Sequence, residues 1–334
     1  MREKEWLLPS IVLTIVTATA ALTLIPSVSG LLPALAILPA WMAGAFAIST
    51  IFGFVWMALH GVKRPAAEAV AYLSREKRKL LFVALVMLLA GMNMVSFMWV
   101  KPLLNYLVPF WADPLLAKWD AILFLGHDPW QTLGWLSFPN AGLVYHPIWF
   151  LLMIGSLLIA AFAPFSSNRS AILLSYFALW SVVGPLIHSI LPAAGPIFYE
   201  RMGYGPRFEG LDGGPETVAV ADYLWSIYAN ESFGAGSGIS AMPSMHVTMS
   251  SWIVIVFFVF ARRWLPIAIA AWLTMFALSI ALGWHYALDG IVGAIAAVVC
   301  YLALAKLFRT KAKGGLDFRL TALAPNSTLQ SRQE

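Results

Sequence analysis

Eight apolar runs dominate the chain, at roughly 7–29, 33–59, 80–100, 143–163, 171–191, 244–261, 264–284 and 287–307. Most approach or exceed the ~20 residues that a helix needs to cross a bilayer. Backbone polar groups find no water in that layer, so a chain of this kind has helices as its usual solution. Charged residues make up 11% of the chain, against roughly 25% in a soluble domain. Mean hydropathy is +0.79. The expected fold is therefore all-α, a polytopic membrane protein with about eight transmembrane helices. The first run is too long for a signal peptide and lacks a convincing cleavage site, so it counts as a span.

Basic residues choose the sides. Of the 21 Lys and Arg, all but Lys101, Lys118, Arg201 and Arg207 fall on one side of an eight-span topology. The positive-inside rule then makes both termini cytoplasmic. Two long connections lie on the opposite side. The first, 101–142, is rich in Trp, Phe and Leu but broken by Pro, Gly and charge. It reads as short helices lying in the membrane interface. The second, 192–243, is rich in Gly and Pro and reads as an irregular lid. The expected organisation is N-terminal transmembrane helices over 1–100, an interfacial amphipathic segment over 101–142 and a transmembrane core over 143–310 that includes the lid. A poorly ordered cytoplasmic tail over 311–334 completes it. The single cysteine, Cys300, excludes an internal disulfide and a cysteine metal cluster. A net charge of +5 in such a chain marks sidedness, not nucleic acid.

Ionisable residues inside spans are costly and usually functional, and here they gather at span ends. His246 opens the sixth span in "AMPSMHVTMS", His285 closes the seventh and Asp289 opens the eighth. On this topology all three share the non-cytoplasmic side. A lone interfacial histidine is ordinary; the conjunction is specific. His285 and Asp289 are four apart, which on a helix places them on one face. A carboxylate there accepts a hydrogen bond from one ring nitrogen and leaves the other free as base or nucleophile. Ser244 is a favoured helix N-cap, and the free N–H groups of the turn after it favour phosphate. Gly290 and Gly293 suit close approach of a neighbouring helix.

"PSMH" and "HYALDGIVG" resemble the second and third signature motifs of the type-2 phosphatidic acid phosphatase superfamily. "FGAGSGISAMPSMHV" with the later "HYALD" is most similar to its inositol phosphorylceramide synthase-like branch, over roughly 190–300. "DAILFLGHDP" looks like the lead-in of that branch. The resemblance implies a six-helix core, a site at the outer membrane face and a phosphohistidine mechanism with no metal and no cofactor. It makes His285 the nucleophile, Asp289 its orienting partner and His246 the acid for the leaving alkoxide. Ser244 and nearby N–H groups would hold phosphoryl oxygens. Two departures stand out. The superfamily's first motif is absent, since "KRP" at 63–65 has the wrong spacing and side, and Ser279 stands where the phosphatases carry an arginine. That leaves phosphate short of cations, which Arg207 and Arg201 of the lid would supply. Tyr199, His146 and Lys101 are further candidates for substrate contact.

The expected activity is transfer of a phospho-headgroup from a phospholipid to a lipid alcohol such as ceramide. The alternative is a lipid phosphate phosphatase with water as acceptor. A non-catalytic lipid-binding protein or a transporter is the contrary class, yet no internal repeat or midplane charge supports transport. Two histidines and a carboxylate could in principle hold zinc. The sequons at 230–232 and 326–328 carry no functional weight.

Overall fold

The computed structural model describes residues 3–25, 31–234 and 236–323; among them the secondary structure is helical. α1 is Lys4–Leu24, the short α2 is Leu31–Leu35 and α3 is Ile37–Leu59. α4, Pro65–Arg75, links α3 to the long α5, Lys77–Leu107. Two short helices follow, α6 at Asp113–Leu123 and α7 at Pro129–Leu133. α8, Ala141–Leu143, continues through a π turn into α9, Trp149–Phe162. α10, Ser167–Ala178, continues through a second π turn, Leu179–Val183, into α11, Gly184–Ile190. α12 is Pro215–Ala229, α13 Met245–Phe260, α14 Leu265–Ala281 and α15 Ala287–Leu323.

Among the described residues, seven helical stretches are long and apolar enough to cross a membrane. α13 is the eighth apolar helix, with 16 residues. At 1.5 Å per residue it covers only about 24 Å, less than the ~30 Å hydrocarbon layer. Short as it is, it sits at the centre of the bundle, packed on α9, α10, α14 and α15. Local signals explain the boundaries. Ser166 caps α10 by accepting from the Arg169 N–H at 3.1 Å. Pro opens α4, α6, α7, α12 and α14, where its missing N–H costs nothing. At the other end of the bundle from the histidines, buried Arg169 pairs with Glu3 and donates to the Ala160 and Ala161 carbonyls. That ties α1 to the turn between α9 and α10.

Several expectations need correction. The third span runs on from 100 to Leu107, so Lys101 lies in the last turns of α5 and not in a separate interfacial segment. The lid is not wholly irregular, since it contains the 15-residue α12. α14 stops at Ala281, so His285 belongs to a loop and not to a helix. The turn starts there because Gly283 takes a positive φ of 76°, which glycine adopts at no steric cost. α15 does not end near 310. Its backbone is helical to Leu323, and 324–334 lie outside the described residues, as do 26–29 of the first expected span.

The small residues of α15 do the work expected of them. A Cβ at Gly293 would stand 2.3 Å from Thr248 Oγ1 and 3.1 Å from the Ser244 carbonyl, both of α13 or its cap. At Gly290 it would stand 2.7 Å from the Phe276 ring of α14. Replacing Gly293 by Val therefore forces α13 and α15 apart, a destabilisation of about 1–3 kcal/mol for an overpacked core. The expected result is a lowered unfolding temperature in detergent micelles. Gly155→Ala, where a Cβ meets nothing within 4 Å, should leave it unchanged.

Candidate active site

The site forms where the C-terminal ends of α5, α11 and α14 meet the N-terminal ends of α13 and α15 and the π turn before α9. Between the lid and α13 the chain is an extended strap, Ile239 to Ser244. Its backbone groups are tied to surrounding elements one after another. Asn105 of α5 donates to the Ile239 carbonyl at 2.5 Å and accepts from the Ile239 N–H at 2.7 Å. The Ala241 N–H bonds the Ala193 carbonyl at 2.8 Å. The Ser244 N–H bonds the Asp289 carbonyl at 3.1 Å. The Ser244 hydroxyl accepts from the Val247 N–H at 3.4 Å, the N-cap expected of it. His188 of α11 meets the Ser240 hydroxyl through Nδ1 at 3.0 Å.

His285 is held by this strap. Its Nδ1 lies 2.8 Å from the Ala241 carbonyl oxygen. A carbonyl only accepts, so Nδ1 carries the proton and Nε2 keeps its lone pair. Asp289 Oδ2 stands 3.5 Å from the same Nδ1 and accepts instead from the Tyr286 N–H at 2.9 Å. The expected Asp289–His285 hydrogen bond is thus replaced by one to a backbone carbonyl. The cause is the loop: without helical spacing at 285, the carboxylate turns back to the nearest amide. Burial pushes the His285 imidazole down to about 3, opposed by the Ala241 hydrogen bond and reinforced by the Lys101 charge. It is neutral at physiological pH.

His246 sits in the first turn of α13 within an aromatic cluster. Its ring stacks on Tyr145 at 4.3 Å between centroids and lies 4.4 Å from Trp149. Trp149 also donates to the His246 carbonyl at 3.2 Å. The His146 ring is edge-on to His246 at 5.3 Å and to Trp284 at 6.3 Å, so it bridges His246 to the residue preceding His285. The Lys101 charge acts on His146, His188, His246 and His285 alike. Among the described residues Lys101 has no carboxylate partner. His285, Asp289, His246, Ser244, His146 and Lys101 therefore converge.

The three lid candidates, Arg201, Arg207 and Tyr199, make their contacts away from the histidines. Arg201 pairs with Asp222 at 2.5 Å and lies over the Trp225 ring. Arg207 binds Asp128 through Nε and a terminal nitrogen, the latter at 2.7 Å, and donates to the Ala117 carbonyl at 2.9 Å. Its bond to Asp128 raises its pKa further. Tyr199 is packed between Tyr204 and Phe208, and burial pushes its phenol up. A void of about 10 Å³, room for one water, is lined by Asp120, Asp128, Trp130, Phe208 and His285. Ser279, in the position of the missing arginine, is buried and accepts from the His285 N–H through its carbonyl at 3.1 Å. Among the described residues, no group of three His, Cys, Asp or Glu is arranged to hold a metal ion.

Two participants had no individual signal in the sequence. Asp113 accepts from the Ala194 and Gly195 N–H groups at 2.9 and 2.8 Å and from the Tyr286 hydroxyl at 3.0 Å. Asp120 accepts from the Ala287 and Leu288 N–H groups at 2.6 and 3.0 Å. Burial raises both carboxyl pKa values, that of Asp120 to about 6, against the lowering effect of these N–H groups. Asp120 opens the "DAILFLGHDP" stretch, so that segment is part of the site's frame.

No curated protein and no solved structure matches the chain. The family described as the PAP2 superfamily matches residues 115–303, from within α6 into the first half of α15. The matched region covers more than half of the sequence and contains the strap, His246, His285 and Asp120 of α6; Asp113 lies two residues before it. With its paired histidines at one end of a helical membrane bundle, the chain belongs to the PAP2 superfamily, whose members are phosphatases and phosphotransferases acting on phosphate groups.

Proposed function

We propose that this enzyme moves the phospho-headgroup of a phospholipid to a lipid alcohol through a phosphohistidine on His285, as in the inositol phosphorylceramide synthase-like branch it resembles. The observation that carries the reading is the charge at the site. Among the described residues, Lys101 is the cation without a carboxylate partner whose field reaches the histidines. A phosphodiester headgroup carries one negative charge and a phosphomonoester nearly two, since its second pKa is about 6. One lysine balances the first and leaves the second under-compensated in a buried site. Phosphatidylinositol-type donors and ceramide- or diacylglycerol-type acceptors fit this chemistry. Both termini are read as cytoplasmic and the site as facing the opposite side, from the distribution of basic residues.

In the first half-reaction His285 Nε2 attacks phosphorus and the bond to the glycerol oxygen breaks. His246, which the bound phosphate anion favours in its protonated form, gives its proton to that leaving oxygen, releasing diacylglycerol. In the second half His246 takes the proton of the acceptor hydroxyl, whose oxygen attacks phosphorus. The N–P bond breaks and its electron pair returns to His285. Asp289, 3.5 Å from Nδ1, favours the positive charge that His285 carries as the phosphohistidine forms. Lys101 and His146 face the phosphoryl oxygens. A second reading, hydrolysis, draws on the water-sized void beside His285: water held there would replace the lipid alcohol as acceptor.

Purified protein in lipid micelles with EDTA, offered phospholipid labelled in its headgroup phosphate, tests the choice. Label appearing on ceramide or diacylglycerol is the expected result. Label released as free phosphate or headgroup phosphate, whatever acceptor is present, overturns transfer in favour of hydrolysis. No label movement with any donor overturns the enzymatic reading of the site. His285→Ala should cut turnover at least about 10⁴-fold, as loss of a nucleophile does.

Lys101→Gln should lower kcat/KM about 10- to 100-fold, the value of one charge-assisted contact. Arg201→Gln, remote and already paired, should stay within about twofold, the scale of exposed salt bridges. Steady-state kinetics on both variants checks the assignment of the phosphate cation.

A further inference from the structure

α6 is amphipathic in an inverted sense. Its carboxylates face inward, with Asp113 and Asp120 0% and 2% exposed. Its outward residues are apolar except Lys118: Trp119, Ile122 and Leu123 are 51%, 55% and 52% exposed. Neither carboxylate pairs with a cation among the described residues. A buried charge without a counter-ion is costly unless hydrogen bonds replace its water. Here they do, and every partner lies beside the His285 loop. Asp120 holds the two amides, Ala287 and Leu288, that follow His285 by two and three residues. They belong to the first turn of α15, whose N–H groups have no acceptor within the helix.

Asp113 grips the other side of the loop. It holds the Ala194 and Gly195 amides and the Tyr286 hydroxyl. That segment in turn takes the Ala241 N–H on the Ala193 carbonyl and donates the Ile197 N–H to the Gly283 carbonyl at 2.9 Å. At Gly195, φ is +107° and a Cβ would stand 2.5 Å from the Trp284 carbonyl. The loop that carries His285 is therefore clasped from both ends by one short helix, and the outer face of that helix is apolar apart from Lys118.

We propose that Asp120, supported by Asp113, is a positioning residue. Through the Ala287 and Leu288 amides it fixes the placement of the His285 imidazole, and α6 thereby couples the reacting loop to the lipid surface that its Trp119–Ile122–Leu123 face contacts. The inference rests on the reading of His285 as nucleophile, but its structural part stands on its own. Asp120 contacts neither reacting atoms nor substrate in this scheme; it acts through the loop.

The test uses full-length Asp120→Ala and Asp120→Asn in lipid micelles. Asn keeps one acceptor oxygen and serves where Ala fails to fold. Hydrogen exchange of peptides covering 283–290 is the readout independent of activity. In Asp120→Ala the Ala287 and Leu288 amides should exchange at least about tenfold faster, reflecting the loss of charge-assisted bonds, while peptides of α13 keep their wild-type rates. Turnover of the labelled phospholipid should fall about 100-fold in kcat, as expected for a misplaced reacting group, with KM within about threefold of wild type. Asp120→Asn should recover about tenfold of that loss.

Unchanged exchange at 287 and 288 in both variants overturns the clasp. Faster exchange spread over the whole bundle, with kcat falling only in step with folded protein, reduces Asp120 to a structural residue and overturns the positioning role. If wild type moves no label but the exchange is faster at 287 and 288 alone, the clasp holds and the functional reading fails instead.

Discussion

The hydrogen bond from the Ser244 N–H to the Asp289 carbonyl, 3.1 Å long, joins the start of α13 to the start of α15, and the site depends on that junction. Both helices begin there, so both leave amides without intrahelical acceptors. Between them the strap is extended backbone within a membrane bundle, a conformation tolerated only where protein groups satisfy it. Asn105, Ala193, Thr248 and His285 provide those partners. Gly293 lets α15 come close enough for the junction to close. Packing, backbone satisfaction and the placement of two histidines are one arrangement.

A consequence is an unusual division of labour among the acidic groups. Asp113, Asp120 and Asp289 are all buried, and all three spend carboxylate oxygens on backbone amides. The orienting acceptor for His285 is a backbone carbonyl instead. A carbonyl fixes the tautomer as well as a carboxylate does. Asp289 stands 3.5 Å from the Nδ1 side of the imidazole, while the field of Lys101 reaches the ring. Such an arrangement suits the proposed route, in which His285 becomes positive as it bonds to phosphorus.

Much of this was legible in the sequence because it rests on local signals. The spans follow from apolar run length, the α13 cap from Ser244, the close helix contact from Gly290 and Gly293, and the convergence of His246 with His285 from their common side. The rest was not, for identifiable reasons. The Ala241 carbonyl carries no side-chain identity to read. Asp113 and Asp120 sit in a segment whose charges look like ordinary interfacial residues, and their amide partners lie 81 to 168 positions away. The helical spacing of His285 and Asp289 suggested a contact that a loop at Gly283 turns into a near approach. Arg207 was read as a free cation because its partner Asp128 lies 79 positions earlier.

Arg207 also bears on which phosphate the site can take. Its partner Asp128 lines the same void as His285, so the guanidinium is near the chemistry but already neutralised. Recruiting it for a dianionic phosphomonoester would break a bidentate pair, and bidentate arginine–carboxylate contacts are among the stronger charge-assisted bonds. It would also leave Asp128 unpaired beside Asp120, two carboxylates lining one small space. The phosphate would then meet more negative charge than it brought positive charge to balance. A monoanionic diester needs no such exchange: Lys101 matches its charge, and the Arg207–Asp128 pair stays in place to hold the lid against α6 through the Ala117 carbonyl. On the function proposed above, the charge pattern fits a donor whose phosphate is esterified on both sides.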